Sequence, residues 1–78
     1  MSRLVPLVNL REGERGVIAS IVGGFGVRQR LSDMGLTPGT EVTVIRFAPF
    51  GPIELSVRGS NLAIGRGVAT KIFVEKKG

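Results

Sequence analysis

The hydrophobic positions between residues 26 and 34 follow the period of an α-helix. Val27, Leu31 and Met34 recur at i, i+4 and i+7, and the positions between them are mainly polar or charged. Such a stripe places one apolar face of a helix against a core and leaves the opposite face in water. The pattern therefore predicts one short amphipathic helix at about residues 26–34.

The residues after this helix predict its end, a tight turn and a strand. Gly35 suits the left-handed conformation just past a helix end, and Leu36 can fold back onto the last turn. Pro38 presets φ for the second position of a β-turn, and Gly39 accepts a positive φ at the third. The β-branched residues that follow predict a strand over residues 40–47.

Further strands are predicted from alternating or β-branched segments. The alternation of apolar and polar residues is clearest at residues 53–57, and residues 59–61 predict a hairpin turn after it. Apolar residues on both faces of a strand at 15–22 indicate that it is covered on both sides. Gly65 and Gly67 indicate a bend or one irregular turn before the last strand. The predicted strands are residues 15–22, 40–47, 53–58, 62–64 and 70–75.

The number and spacing of these strands favour a small barrel. Short strands with turn signals about every eight to twelve residues are typical of a closed antiparallel sheet, which has no exposed edge. The 78 residues match the length of one small domain. We therefore predict a mainly β fold: a five-stranded antiparallel Src-homology-3-like (SH3-like) barrel with one short α-helix, in a single domain over residues 1–78.

The composition narrows the chemistry that the chain can perform. It has no Cys and no His, which removes disulfides, thiolates and the side chain most used for acid-base work and transition-metal binding near neutral pH. The six Asp and Glu residues are dispersed, and no serine has an activating base at a recognisable spacing. We therefore expect no catalytic residue, no enzyme activity and no built-in metal site.

The formal net charge of +5 favours an acidic partner, whether a nucleic acid, an anionic membrane surface or an acidic protein face. The basic residues are mostly isolated, which is typical of a solvated surface. Arg28 and Arg30 are two apart on the predicted helix, so they do not share a face. No apolar run reaches the roughly 18 residues that span a bilayer, and the first residues do not form a secretory signal.

One aromatic side chain is placed for exposure. Phe50 lies in a loop with Pro49, Gly51 and Pro52, where a regular strand cannot continue. An exposed Phe can anchor an interface by entering a partner's pocket, or it can fold back over the mouth of the barrel. The other phenylalanines are expected to pack in the core or to plug the barrel: Phe25, Phe47 and Phe73.

A larger ordered set of residues resembles the ferrous iron transport protein A (FeoA) family. The resemblance spans nearly the whole chain, through LREGERGVIASIVGG, VRQRLSDMGLTPGTEVTVIRFAPFGPI and LAIGRGVATKIFV. The family usually has an acidic residue where Gly51 here meets Pro52 directly. The residues of the most specific part are Arg28, Leu31, Met34, Gly35, Leu36, Pro38, Gly39, Ala48, Pro49, Phe50, Gly51, Pro52 and Ile53.

The resemblance implies a cytoplasmic accessory protein that regulates ferrous iron uptake by contacting the cytosolic GTPase part of the membrane transporter FeoB. It implies the SH3-like fold and, by resemblance only, weak binding of Fe²⁺, with no firm cofactor. An oligomer is left open. The candidate contact residues lie in the Pro-Gly loop, the connector before the helix and the helix itself: Phe50, Pro49, Gly51, Phe25, Arg28 and Arg30.

Two other functions stay open at this point. A small basic barrel can bind nucleic acid through phosphates, although no basic stripe interleaved with aromatic residues supports this here, and we expect no nucleic-acid partner. A transition-metal-sensing domain is the other alternative, because the family's fold resembles the C-terminal domain of diphtheria-toxin-repressor-type iron regulators.

Overall fold

The computed structural model describes residues 3–77. Six strands, two α-helices and one 3₁₀ helix make up its regular structure. In chain order they are β1 (Leu4–Pro6), the 3₁₀ helix (Leu7–Asn9), β2 (Arg15–Ile21), α1 (Phe25–Asp33), β3 (Glu41–Phe47), β4 (Ile53–Val57), β5 (Ser60–Ile64), α2 (Arg66–Ala69) and β6 (Ile72–Lys77).

The strands form one antiparallel sheet in the order β1-β6-β2-β3-β4-β5. The mainly β class is confirmed, but the strand number of five is wrong, because Leu4–Pro6 pairs with β6 as a sixth strand. Three residues are too few to show an alternation, and Pro6 suits an edge strand because it has no N–H to donate. Within residues 3–77 no backbone pairing joins β1 to β5, so the predicted closure that removes both edges is absent.

The core lies on one side of the sheet and under the two helices. β4 shows the predicted alternation, with Ile53, Leu55 and Val57 buried and Glu54 and Ser56 half-buried. The buried apolar residues are Leu7, Leu10, Ile18, Ile21, Leu31, Leu36, Val42, Val44, Ile53, Leu55, Val57, Ile64, Ala69, Ile72 and Val74.

A β-bulge in β2 corrects the prediction that this strand is covered on both faces. Ile18 pairs with Val74 and Ser20 pairs with Phe73, so one extra residue is inserted between them. The extra residue shifts the alternation, which lets Ile18 and Ile21 both reach the core although they are three positions apart. Ala19 and Ser20 are exposed.

Helix α1 begins and ends one residue before the predicted bounds, at Phe25–Asp33, and its C-terminal signal is confirmed. The Leu36 N–H donates to the Leu31 carbonyl and the Gly35 N–H to the Ser32 carbonyl, both at 2.9 Å, and Gly35 has φ +84°. These are the two hydrogen bonds of a Schellman motif. Leu31 and Leu36 are both buried, which is the apolar contact that accompanies this motif.

Two similar turns dock on each other's strands. Gly13 and Gly39 both have a positive φ, and the turns that they belong to precede β2 and β3. The Gly13 N–H donates to the Val44 carbonyl of β3, while the Gly39 N–H donates to the Ile18 carbonyl of β2, both at 2.7 Å. The turn before β2 is therefore hydrogen-bonded to β3, and the turn before β3 is hydrogen-bonded to β2.

Strand β5 begins earlier than predicted, and α2 is a helical turn. Arg58 (φ +51°) and Gly59 (φ +82°) form a two-residue turn with both φ angles positive, as in type I′, so Ser60 already lies in β5. The bend expected at Gly65 and Gly67 is the start of a one-turn α-helix, Arg66–Ala69. Packing decides this, since Ala69 is fully buried and offsets the low helix propensity of glycine.

Candidate protein-interaction site

The loop between β3 and β4, residues 48–52, displays a phenylalanine to solvent. Phe50 is fully exposed, at 101% of its reference area, so the predicted exposure is confirmed. Pro49 is exposed beside it and Gly51 is half-buried. A Cβ added at Gly51 would lie 3.2 Å from the Ala48 Cβ, which shows how closely the two arms of the loop approach.

The base of this loop is anchored from two sides. A guanidinium N–H of Arg66 donates to the Ala48 carbonyl, and the guanidinium carbon lies 4.4 Å from the centre of the Phe47 ring, a cation–π contact. On the other side the Phe47 N–H donates to the Glu12 carboxylate at 3.0 Å. The residues at the base of the Phe50 loop are therefore held in place. This lowers the conformational entropy that the loop loses when a partner binds.

Neither Arg66 nor Glu12 was among the contact residues predicted from the sequence. Arg66 sits between two glycines, where the sequence indicates only a bend, and Glu12 lies in a turn 35 residues from Phe47. A side chain that bonds to a distant backbone group leaves no periodic signal in the sequence. The Arg66 Nε is buried and has no hydrogen-bond partner among residues 3–77.

A hollow lies next to the anchored loop. It has a volume of about 280 Å³ and is lined by the 3₁₀ helix, the turn that follows it and the Phe47 ring. An apolar side chain of a partner that contacts Phe50 could enter this hollow. Its lining residues are Val8, Asn9, Leu10, Arg11, Glu12 and Phe47.

Phe25 is not a core residue. It is the first residue of α1, it is 81% exposed, and the preceding Gly24 offers no side-chain cap. The expectation that Phe25 packs in the core or plugs the barrel is wrong, because the apolar stripe of α1 is carried by Leu31, with Val27 half-buried. Its exposure keeps it among the contact candidates.

The structure ties the two exposed phenylalanines to opposite ends of α2. Arg66, the first residue of α2, holds the loop of Phe50. The Lys71 carbonyl, just after α2, accepts a hydrogen bond of 2.8 Å from the Val22 N–H in the connector that leads to Phe25. Helix α2 therefore lies between the Phe50 loop and the connector that leads to Phe25.

The two helix arginines face different hollows. Arg28 borders one of about 370 Å³ with Ser20, Ser32 and Thr37, whereas Arg30 borders a groove of about 190 Å³ between α1 and the end of β5. The structure therefore separates the two guanidinium groups, as the spacing predicts. Within residues 3–77 neither arginine forms an ion pair, while Lys76 pairs with Glu14 at 2.9 Å.

In the part of the chain that the structure describes, no three Asp or Glu side chains come close enough to hold a metal ion together. No helix among the described residues is both long enough and apolar enough to cross a bilayer.

Comparison with known proteins gives the family. The model of the FeoA domain family matches residues 5–76. "Putative Fe(2+) transport protein A" of Methanocaldococcus jannaschii is 46% identical over 72 residues, which are 92% of this chain and 87% of that protein. A crystal structure of an iron uptake regulatory protein (FeoA) has a TM-score of 0.92 and 43% identity, and the match covers 96% of this chain and all of that chain.

Two further similarities cover less than half of the other protein's length. A protein of Porphyromonas gingivalis named as a fusion of Fe(2+) transport protein A with the Fe(2+) transporter FeoB is 33% identical over 70 residues, which are 88% of this chain and 8% of that protein. A manganese-dependent transcriptional repressor has a TM-score of 0.89 at 19% identity, with 99% of this chain and 44% of that chain covered, which shows a shared fold alone. From the family model, the sequence identity and the shared structure together, this chain belongs to the FeoA family.

Proposed function

We propose that this protein is a non-enzymatic, cytoplasmic accessory regulator of ferrous iron uptake, which acts as one domain over residues 1–78. It contacts the cytosolic GTPase part of a FeoB-type transporter, and the loop that carries Phe50 is the centre of the contact. Pro49 and Gly51 shape this loop, and Phe25 extends the apolar surface from the other end of α2. Arg28 and Arg30 add positive charge at the rim.

The observation that carries the proposal is the full exposure of Phe50 on an anchored loop. Aromatic side chains dominate the binding energy of protein interfaces, and a preorganised loop loses little entropy on binding. A fully exposed Phe buries no apolar area within this chain, so it adds no hydrophobic stabilisation. A partner that buries it would explain why the loop holds it outward.

The identity of the partner is supported by the fusion protein of Porphyromonas gingivalis. Its name joins Fe(2+) transport protein A and the transporter FeoB in one polypeptide, and 8% of its length matches this chain. Covalent linkage raises the effective concentration of two modules that bind each other. We infer that the separate chain makes without a linker the contact that the fusion makes within one molecule.

The test is a calorimetric titration of the chain with the cytosolic part of the transporter from the same organism, in the GDP-bound, GTP-analogue-bound and nucleotide-free states. We expect binding in at least one state, and we expect Phe50→Ala to raise the dissociation constant at least about tenfold. Leu4→Ala is the matched control, because Leu4 is also an exposed apolar side chain but lies on the edge strand β1.

Two results would contradict the proposal. Absence of binding in every nucleotide state would exclude a direct contact with this partner. Equal weakening by Phe50→Ala and Leu4→Ala would show that the loop is not the centre of the contact. A thermal unfolding curve of each variant establishes that both are folded.

The same protein can be tested for the two alternatives. Binding of generic RNA or DNA that survives about 0.15 M salt would favour a nucleic-acid-binding barrel, because purely electrostatic binding weakens steeply with salt. Anaerobic calorimetry with ferrous, manganous and zinc ions tests metal sensing. Submicromolar stoichiometric binding would favour that function, for which the shared repressor fold is the present support.

A further inference from the structure

The sheet has one edge strand that nothing in its own sequence protects. Natural edge strands avoid unwanted pairing by being very short, by carrying Pro or by presenting charged side chains. Edge strand β1 has three residues and contains Pro6. Edge strand β5, Ser60–Ile64, has five residues, no Pro and no charge.

The register of the β4–β5 hairpin shows which backbone groups of β5 are free to pair. In a hairpin with a two-residue loop, the pair that flanks the loop exchanges hydrogen bonds, and bonded and non-bonded pairs then alternate. The flanking pair is Val57 and Ser60. The N–H and C=O groups of Asn61 and Ala63 therefore point away from β4, and within residues 3–77 no other backbone hydrogen bond engages them.

A groove lies beside the end of this edge. It has a volume of about 190 Å³ and connects the last residues of β5 to the C-terminal half of α1. Leu31, Met34, Ile64 and Val68 give it an apolar floor, and Arg30 borders it. An edge strand next to a helix, with a groove between them, is the arrangement that accepts an extended peptide by β-augmentation.

The charges argue against a second copy of this chain as the occupant. Antiparallel pairing of two β5 strands that satisfies Asn61 and Ala63 of both copies places Leu62 opposite Leu62. In this register the paired residues end before Arg58 and Arg66, and each copy carries a net charge of +5. Repulsion between two chains of the same positive net charge disfavours this pairing, so a different and acidic chain fits the edge better.

We propose that the outer edge of β5 binds an extended segment of the transporter's cytosolic part, which adds to the sheet as a further strand through Asn61 and Ala63. The inference rests on the proposed function for the identity of the partner. On the side of the groove the segment has an apolar residue that enters between β5 and α1, and an acidic residue beside Arg30. On the opposite face, where Glu54 pairs with Ala63, it has uncharged or basic residues.

Amide hydrogen exchange measured by NMR on the full chain tests this inference. With saturating cytosolic part of the transporter, the Asn61 and Ala63 amides should exchange at least about tenfold more slowly. Leu62 and Ile64 are internal references, since their N–H groups point towards β4 in the free chain. Unchanged exchange at Asn61 and Ala63, with changes around Phe50, would overturn this inference and leave the proposed function intact, whereas unchanged exchange everywhere would overturn both.

Two pairs of variants test the backbone and the charge separately. Ala63→Pro removes an N–H that β4 does not use, and it should weaken binding about tenfold, whereas Ala63→Val keeps the N–H and should bind as the parent chain does. Arg30→Glu should weaken binding at least about threefold more than Arg3→Glu, which makes the same charge change next to the opposite edge strand. Equal effects within either pair would overturn the inference, and if Ala63→Pro does not fold, hydrogen exchange on the unmodified chain decides.

Discussion

Glycine has opposite roles at two positions of this chain. A Cβ added at Gly16 would lie 2.8 Å from Cγ2 of Val74 and 3.3 Å from Cδ1 of Leu10, so β2 and β6 pack too closely there for any side chain. At Gly67, inside α2, an added Cβ would meet no atom within 4 Å. Only tertiary packing distinguishes the two positions, so the sequence alone predicts neither role.

The same substitution at these two glycines should therefore change stability in opposite directions. Gly16→Ala should lower the free energy of unfolding by about 1 to 3 kcal/mol, because the core must shift to admit the methyl group. Gly67→Ala should raise it by about 0.5 to 1 kcal/mol, because alanine favours the helix. Urea unfolding of both variants measures the two values, and destabilisation by Gly67→Ala would contradict the account of α2.

Glu14 makes the stability of the chain depend on pH. The Arg11 N–H donates to its carboxylate at 2.7 Å and Lys76 pairs with it at 2.9 Å, and these contacts hold the pKa of Glu14 below its ordinary value of 4.5. A carboxylate with a lowered pKa in the folded state stabilises the protein above the ordinary value. That contribution is lost as the pH falls through the folded-state pKa.

The Glu14→Gln variant should show this pH dependence. At pH 7 it should unfold more easily than the parent chain, and the difference should shrink as the pH falls below about 4.5. Lys76→Gln is the control, because it leaves the hydrogen bond from the Arg11 backbone N–H to Glu14 in place. At pH 7 it should therefore lower the free energy of unfolding by less than Glu14→Gln does. A difference that is the same at pH 7 and pH 3 would contradict the proposed cause.

At the scale of elements, the segments that depend on neighbours in sequence were predictable. The end of α1, the turn at Pro38 and Gly39 and the alternation of β4 follow from local residue patterns, and the structure confirms all three. The bulge in β2 and the helix α2 depend on contacts with other elements. Their sequences, with apolar residues on both faces and with two glycines, pointed to different local structures.

Arg66 connects helix α2 to the base of the Phe50 loop. Arg66→Met keeps an apolar stem over Phe47 but removes the hydrogen bond to Ala48. We expect a loss of about 1 kcal/mol in the free energy of unfolding and faster exchange of the Phe50 and Gly51 amides. Arg28→Met, which removes an exposed guanidinium on α1, should change neither, and unchanged loop amides in Arg66→Met would contradict the role of the anchor.

At the scale of the whole molecule, the class of fold could be predicted but the closure of the sheet could not. Strand patterns and turn residues indicate a small antiparallel sheet, whereas closure depends on whether the two edge strands meet in space. The exposure of the candidate contact residues was predictable to a similar extent. The proline-rich loop indicated an exposed Phe50, but Phe25 was assigned to the core because hydrophobicity alone does not show whether an apolar residue next to a helix is buried.

Photocrosslinking in cells tests whether Phe50 contacts the transporter. A benzophenone-bearing phenylalanine analogue is incorporated in place of Phe50 and, in a second strain, in place of Leu4. Irradiation should link the chain to the cytosolic part of the FeoB-type transporter from the Phe50 position and not from the Leu4 position. A crosslink from Leu4 alone, or no transporter crosslink from Phe50 while the chain and the transporter are both present, would rule out the contact through the Phe50 loop.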